Sequence, residues 1–257
     1  GYSPFLVTIL GAFALLSITQ YLIYGWSLKT HAAVLGILIS LIITGVLATI
    51  SILVIIHVGL NWAGDSIRVW AFYAFAFVPA RFSGSYPMIE GSQYWSLLTY
   101  AFLHADWMHL LFNSLWLLVF GTPVARYLGT GGFLILSAVA AVCGALASLL
   151  LYGTQEVIIV GASGVVSGLL AAAIPLMMAK RTPEGRVPLG FLELLTNGRA
   201  LTFMAVWLAI TLFAGASGWT GQGFMSDGGI AWEAHVGGFL GGLLAFYLIL
   251  AWRMRDR

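Results

Sequence analysis

Long uncharged, apolar runs follow one another along almost the whole chain. A membrane-spanning helix needs roughly 20 apolar residues, and each run is long enough to hold one. β-barrel strands would instead alternate apolar and polar positions over about 10 residues, a pattern that is not seen here. The runs predict spanning helices at 4–26, 33–60, 101–121, 132–152, 161–179, 200–217 and 232–252.

Composition supports a membrane protein and excludes two other classes. Only 8% of the 257 residues are charged and 61% are hydrophobic, whereas soluble proteins average about 25% charged residues. Disordered chains are also excluded, because they are rich in charge and poor in apolar residues. The net charge is only +2, and the basic residues are not clustered into a stripe that would bind nucleic acid. The sequence therefore indicates an all-α, multi-pass membrane protein in contact with the lipid bilayer.

Basic residues are distributed unevenly between the segments that join the predicted spans. If the spans alternate in direction, one side of the membrane receives the N-terminus, 61–100, 153–160 and 218–231, with only Arg68 and Arg81. The other side receives the remaining basic residues, which are Lys29, Arg126, Lys180, Arg181, Arg186, Arg199, Arg253, Arg255 and Arg257. Because cytoplasmic segments are enriched in Lys and Arg, the second side is predicted to be cytoplasmic.

Four polar residues stand out inside the predicted spans, where polar groups are costly and indicate function. His109 and Asn113 are four residues apart, which places them on one face of a helix. Ser163 opens its span within Gly-Ala-Ser-Gly, and His235 lies near the start of the last span. Taken singly, each is at least as typical of helix packing through polar or small residues.

The predicted orientation places these four residues together in the outer half of the membrane. Ser163 is two residues into its span, His235 three, and His109 eight, or about 12 Å at the helical rise. A serine hydroxyl needs an adjacent base, and neutral imidazole can serve. A second histidine and the Asn113 amide can stabilise an oxyanion. Glu233 does not share a helix face with His235, so a Ser–His dyad is predicted rather than a triad.

Three motifs, in this order and on these spans, resemble the rhomboid family of intramembrane serine proteases. They are His104-x4-His109-x3-Asn113, Gly161-Ala-Ser163-Gly164 and Ala234-His235-x2-Gly238-x3-Gly242, and the resemblance runs from about residue 50 to 252. It implies a rhomboid-like six-helix transmembrane bundle formed by residues 33–257. Residues 1–32 are then an N-terminal extension that carries an additional transmembrane helix.

The resemblance also implies a role for each motif residue. Ser163 would be the nucleophile and His235 the general base and then the acid. His109, Asn113 and the backbone N–H of Ser163 would form the oxyanion hole, with no metal or other cofactor.

Other motif residues are expected to support this site. Gly164, Gly238 and Gly242 would pack the helices beside it, and Gly161 would line the cavity or contact the substrate. For His104 two interpretations stay open: a contact to cavity water or substrate, and a structural role. His31 and His57 lie near predicted span ends and are interpreted as interfacial.

Two departures from the family pattern bear on how the site is held. Many members carry Trp-Arg in the first outer loop, where this chain has Trp95-Ser96, so the anchoring of that loop is left open. Some members place a Tyr four residues after the nucleophile to stack on the catalytic histidine. Here Ser167 occupies that position, and packing of the glycine face is the expected alternative for positioning His235.

The sequence therefore predicts an endopeptidase that cleaves single-pass transmembrane proteins near the outer membrane boundary. A bacterial inner membrane is expected, with the site opening to the non-cytoplasmic side. Two alternatives remain: a non-catalytic rhomboid-like protein that binds membrane helices for quality control, and a small-solute transporter whose cavity these polar groups line. Retention of both Ser163 and His235 favours the protease, and no internal repeat of the transporter kind is found.

Overall fold

The computed structural model describes residues 45–84, 89–183, 185–217 and 231–255. The predicted span 4–26, the beginning of span 33–60 and His31 lie outside the described residues. The helices are α1 (Gly45–Ala63), α2 (Asp65–Phe75), α3 (Ser92–Thr99), α4 (Trp107–Trp116), α5 (Thr122–Tyr152), α6 (Ser163–Met177), α7 (Phe191–Thr196), α8 (Gly198–Ser217) and α9 (Trp232–Arg255). The predicted all-α membrane class is confirmed.

Short elements complete the described part of the chain. Pro79–Ser83 and Tyr100–Phe102 form 3₁₀ turns, and Leu117–Gly121 forms a π-helical turn between α4 and α5. Two three-residue strands, β1 (Lys180–Thr182) and β2 (Gly185–Val187), pair in an antiparallel hairpin within the segment that sequence assigned to the cytoplasm.

Among the described residues, three helical stretches are long and apolar enough to cross a membrane, namely Gly45–Ala63, Trp107–Tyr152 and Trp232–Arg255. The shorter helices Ser163–Met177 and Gly198–Phe213 are also apolar. The stretch Trp107–Tyr152 is broken at Gly129, whose φ of 71° is non-helical, so it corresponds to two of the predicted spans.

The predicted start of span 101–121 is wrong by six residues. Tyr100–Phe102 forms a separate 3₁₀ turn, and α4 begins only after Asp106. The carboxylate of Asp106 accepts a hydrogen bond of 2.8 Å from the backbone N–H of His109, which caps the helix. His109 therefore lies in the first turn of its helix, and not eight residues into it.

The exposed surface of α4 is apolar, and its buried surface carries the polar side chain of Asn113. Asn113 is 5% exposed, whereas Leu111 and Phe112 beside it are 51% and 52% exposed. Soluble helices show the opposite arrangement, with polar residues outside. The inversion is what a bilayer requires, because polar groups in lipid must face the protein interior.

Hydrogen bonds across the bundle agree with the predicted grouping of the connecting segments. Phe77 and Ile159 exchange two backbone hydrogen bonds, of 3.0 and 2.8 Å, so the segment that follows α2 meets the segment that precedes α6. At the other side, the guanidinium of Arg253 donates to the carbonyls of Tyr127 and Leu128.

Helices α5, α6 and α9 pack closely because small residues line their contacts. A Cβ placed on Gly168 would lie 2.8 Å from the Gly238 carbonyl oxygen and 3.2 Å from the Gly242 Cα. A Cβ on Gly238 would overlap the Gly164 carbonyl. We call Gly164, Gly168, Gly238 and Gly242 the glycine seam, and its backbone-to-backbone contact fixes α6 against α9.

The first outer segment is held by side chains that bond the C-terminal carbonyls of α2. Trp95 donates its indole N–H to Ala74 at 2.8 Å, and Thr99 donates to Phe75 at 2.9 Å. The buried Arg81 donates to the carbonyl of Ala76 at 2.7 Å and also to that of Tyr73. These donors satisfy carbonyls that a helix end leaves without partners. Arg81 thus provides an arginine anchor for this loop in a chain whose Trp95 is followed by serine.

Candidate active site

Ser163 is the first residue of α6 and lies at the end of the bundle where α4 and α9 also begin. It is partly exposed, while Gly161, Ala162 and Gly164 around it are buried. The first N–H groups of a helix have no partner within the helix and carry its partial positive charge. The backbone N–H of Ser163 is one of these groups.

Gly161 connects Ser163 to the oxyanion candidates. Its φ of +112° is a conformation that glycine adopts and other residues rarely do. A Cβ at this position would lie 2.5 Å from the His109 Nε2 and 3.5 Å from the Asn113 Nδ2. Both nitrogens therefore face the backbone two residues before Ser163, and only glycine leaves room for them.

Tyr100 holds this glycine in place. Its backbone carbonyl accepts a hydrogen bond of 3.0 Å from the N–H of Gly161. Its phenol, which is 1% exposed, donates to the Ala141 carbonyl of α5 at 2.9 Å. Tyr100 was not among the residues that sequence selected, because a tyrosine in an apolar run carries no pattern that distinguishes it from packing.

The Asn113 side chain is buried and its amide is available as a donor. Within the described residues, Nδ2 of Asn113 has no hydrogen-bond partner. A buried amide without a partner is costly, which makes it a feature that needs an explanation. An oxyanion that forms next to Ser163 would be such a partner.

His235 lies on the fourth residue of α9 and is brought to Ser163 by the glycine seam. A Cβ on Gly164, the residue after Ser163, would lie 3.2 Å from the carbonyl oxygen of Ala234, the residue before His235. The ring of His235 is close enough to that of His109 to interact with it electrostatically. Within the described residues Ser163 and His235 share no hydrogen bond, and such bonds are often long in ligand-free sites.

The hydroxyl of Ser167 is hydrogen-bonded within its own helix. It donates to the carbonyl of Ser163, one turn earlier in the same helix, at 2.9 Å. Some family members have a tyrosine at this position that stacks on the catalytic histidine. In this chain the position holds serine, and α9 is held beside α6 by their close backbone contact.

Glu233 is bound to a different helix from the one that carries Ser163. Its carboxylate accepts hydrogen bonds from Ser148 at 3.2 Å and from Tyr152 at 3.3 Å, both on α5. It is 3% exposed, so these bonds stabilise an otherwise costly buried carboxyl group. Both of these hydrogen-bond partners lie on α5, and no hydrogen bond joins Glu233 to His235 within the described residues.

His104 lies in the short loop before α4 and is 2% exposed. Its ring packs edge-on against that of His109, with 5.1 Å between the centroids. Burial, followed by the nearby His109 and His57, lowers the pKa of His104 to about 3. The ring is therefore neutral at any physiological pH.

His57 is buried within the protein. It is 4% exposed on α1, and its ring packs edge-on against Trp107 at 4.6 Å. The helix ends at Ala63, three residues beyond the predicted end of the span. Within the described residues no group of three or more His, Cys, Asp or Glu side chains is arranged to hold a metal ion.

Comparison with known proteins identifies the family. The model of the rhomboid domain matches residues 91–252, which include all three motifs. The chain belongs to the rhomboid family. The match also covers the two helices that carry Ser163 and His235, and it supports an integral membrane protein.

Curated relatives of this rhomboid chain are bacterial proteins named as proteases. Rhomboid protease GluP of Bacillus subtilis is 32% identical over 62% of the chain and 26% of its own length. Rhomboid protease GlpG of Pectobacterium atrosepticum is 32% identical over 59% of the chain and 47% of its own length. GlpG of Serratia proteamaculans is 31% identical over 65% and 52%. The chain thus spans about half or less of each of these relatives.

Proposed function

We propose that this rhomboid chain is an intramembrane serine protease that hydrolyses peptide bonds in transmembrane segments of membrane proteins. The observation that carries the proposal is the meeting of three helix starts: His109 and Asn113 of α4 face Gly161, just before α6, and the Ala234 carbonyl of α9 faces Gly164 of α6. They bring a serine hydroxyl, two histidines and an unpartnered amide donor to one end of an apolar bundle.

The reaction follows from these groups. The Oγ of Ser163 attacks the carbonyl carbon of the scissile bond while His235 accepts the hydroxyl proton. The carbonyl oxygen becomes an oxyanion, which His109, Asn113 and the Ser163 N–H stabilise. His235 then gives its proton to the departing amine, and an acyl-enzyme remains. Water, deprotonated by His235, releases the acyl group and restores Ser163.

The substrate class follows from the surroundings of the site. A transmembrane helix hides its carbonyls in internal hydrogen bonds, and unpaired backbone is not tolerated in lipid. The substrate must therefore unwind inside the protein before Ser163 can attack. Segments with helix-weakening Gly or Pro unwind at a lower cost, so single-pass proteins with such residues near the outer membrane boundary are the proposed substrates.

The location of the protein completes the proposal. The relatives that the chain resembles are bacterial, and the basic segments 122–131 and 180–199 lie at the end opposite Ser163. We place the protein in a bacterial inner membrane with its site open to the non-cytoplasmic side.

A fluorophosphonate probe, which reacts with activated serines, tests the assignment in detergent solution. The wild type should be labelled, and Ser163→Ala should not. Asn113→Ala should label more slowly, because removing one oxyanion donor costs about 10²–10³-fold in rate. Equal labelling of the wild type and Ser163→Ala would exclude Ser163 as the nucleophile. A protein that binds a transmembrane peptide tightly without labelling or product would instead be a non-catalytic helix binder.

A further inference from the structure

Two arginines stand side by side on the β1–β2 hairpin, which follows α6 at the end of the bundle opposite Ser163. The strands pair so that Arg181 lies directly opposite Arg186, and both side chains are exposed. Residues directly opposite each other in an antiparallel pair have Cβ atoms about 4.5–5.5 Å apart on one face, and like charges there repel. We call Arg181 and Arg186 the arginine pair. A negative group between the two would turn their repulsion into attraction.

The protein supplies no such negative group among the described residues. The ion pair of this segment joins Lys180 to Glu193 of α7. Because successive side chains of a strand point to opposite faces, Lys180 projects from the other face of the hairpin than its neighbour Arg181. By sequence the hairpin has one acidic residue, Glu184, against three basic ones, so it keeps a net positive charge.

The hairpin is tied closely to the end of a membrane helix. β1 begins three residues after α6 ends at Met177. On the other strand, the N–H of Leu189, three residues after Arg186, donates to the carbonyl of Pro175 in α6 at 3.2 Å. Three residues of extended chain span at most about 11 Å, and the two headgroup layers of a bilayer together add roughly 10–15 Å to its apolar core. The arginine pair therefore lies within reach of the headgroup layer.

The short helix α7, which follows the hairpin, exposes apolar side chains. Phe191, Leu192 and Leu195 are 49%, 76% and 47% exposed, and their spacing puts them on neighbouring positions of the helix surface. The Phe191 ring packs edge-on against Tyr247 of α9 at 5.5 Å, and the Tyr247 hydroxyl donates to the carbonyl of Leu189 at 2.9 Å. An apolar helix surface beside basic residues is typical of segments that lie in the membrane interface.

We propose that the arginine pair binds the phosphate of an acidic phospholipid headgroup. Guanidinium groups match phosphate oxygens with paired, charge-assisted hydrogen bonds, and α7 keeps the hairpin at headgroup level through the Lys180–Glu193 ion pair. The basic segments predict that this side is cytoplasmic, where acidic lipids give the leaflet its negative surface potential. The site goes beyond the proposed function, because it lies at the other end of the bundle from Ser163.

Native mass spectrometry of the full chain in neutral detergent measures this binding, with dioleoylphosphatidylglycerol as the acidic lipid and dioleoylphosphatidylcholine as its neutral counterpart. The wild type should bind the acidic lipid in preference to the neutral one. Arg181→Gln and Arg186→Gln should each weaken binding of the acidic lipid by about fivefold, the contribution of one basic side chain at an acidic membrane surface.

Arg255→Gln is the matched control, because it also removes one exposed arginine, at the end of α9. It should bind the acidic lipid like the wild type. The same loss in all three variants would show that only the total charge matters and would overturn the proposal. A wild-type protein that binds the two lipids equally would overturn it as well.

Hydrogen exchange in the wild type locates the lipid without depending on how the variants fold. The acidic lipid should slow amide exchange in residues 180–187, whereas inorganic phosphate at the same concentration should not. Protection confined to other parts of the chain, or equal protection by inorganic phosphate, would overturn the lipid site. Ser163→Ala should bind the acidic lipid like the wild type, so failure of the proposed function would leave this inference intact.

Discussion

The two halves of the candidate site are held by different kinds of contact. The helices that carry Ser163 and His235 are joined at the glycine seam, where the backbone of α6 lies directly against that of α9. In the oxyanion half, Gly161 instead donates a backbone hydrogen bond to the carbonyl of Tyr100. The outer segment beside it is held by side chains that bond backbone carbonyls, with Arg81, Trp95 and Thr99 as donors. A close backbone contact allows almost no change of residue at the glycines that form it. A hydrogen bond that anchors a loop can instead be donated by a residue elsewhere in the chain.

The presence of Arg81 illustrates this difference. The family pattern puts an arginine after the loop tryptophan, and this chain has Ser96 there. Arg81, from the 3₁₀ turn Pro79–Ser83, reaches the carbonyls at the end of α2. The glycine seam offers no such freedom, because any Cβ on Gly238 meets the Gly164 carbonyl.

The largest effect is expected from Gly238→Val, which breaks the seam. Overpacked cores typically lose about 1–3 kcal/mol of stability, and here the obstacle is main chain that cannot rotate away. We expect a loss of stability above that range and no detectable proteolysis. Unfolding in mixed micelles and peptide cleavage measure the two effects. Gly59→Ala, whose Cβ would meet nothing within 4 Å, is the control, and a stable, active Gly238→Val would disprove the importance of the seam.

The next largest effect is expected from Gly161→Ala, which disturbs the oxyanion half. The added Cβ would displace the His109 ring, so kcat should fall by about 10²–10³-fold, as when one oxyanion donor is lost. Gly153→Ala separates this from backbone strain, because Gly153 also has a positive φ of 54° but open space around its Cβ position. If both variants lose the same activity, the contact between Gly161 and His109 is irrelevant.

A smaller effect is expected from Arg81→Met, which removes the hydrogen-bonded anchor. A hydrogen bond to a charged group contributes about 1.5–3 kcal/mol, and loss of these bonds should lower thermal stability and order in the outer segment. The exposed Arg186→Met should change neither. An Arg81→Met protein that unfolds like the wild type would show that Trp95 and Thr99 suffice.

The smallest effect is expected from Ser167→Ala, beside the seam. The Ser167 hydroxyl bonds only the backbone of its own helix, so kcat should be unchanged when measured with the transmembrane peptide. A marked fall in kcat would mean that Ser167 helps to position His235 after all.

Close packing at Gly164, Gly238 and Gly242 could be predicted from sequence, because helices that approach closely need small residues at regular spacing. Gly168, which completes the seam, was not selected. The start of α4 could not, because Tyr100–Phe102 is as apolar as the helix that follows, and only the cap by Asp106 marks the boundary. The contact of Tyr100 with Gly161 and the anchoring of the outer segment by Arg81 were also beyond prediction. Their roles depend on contacts between residues far apart in the chain, and no local pattern records such contacts.

Cleavage of a single-pass membrane protein in proteoliposomes, with the cut located by mass spectrometry, tests the central claim most directly. We expect the wild type to cut one bond within or at the edge of the membrane, on the side where Ser163 lies. Ser163→Ala and His235→Ala should each yield no product. Undiminished cleavage by either variant, or the absence of any product from a wild-type protein with several Gly-containing substrates, would contradict the account.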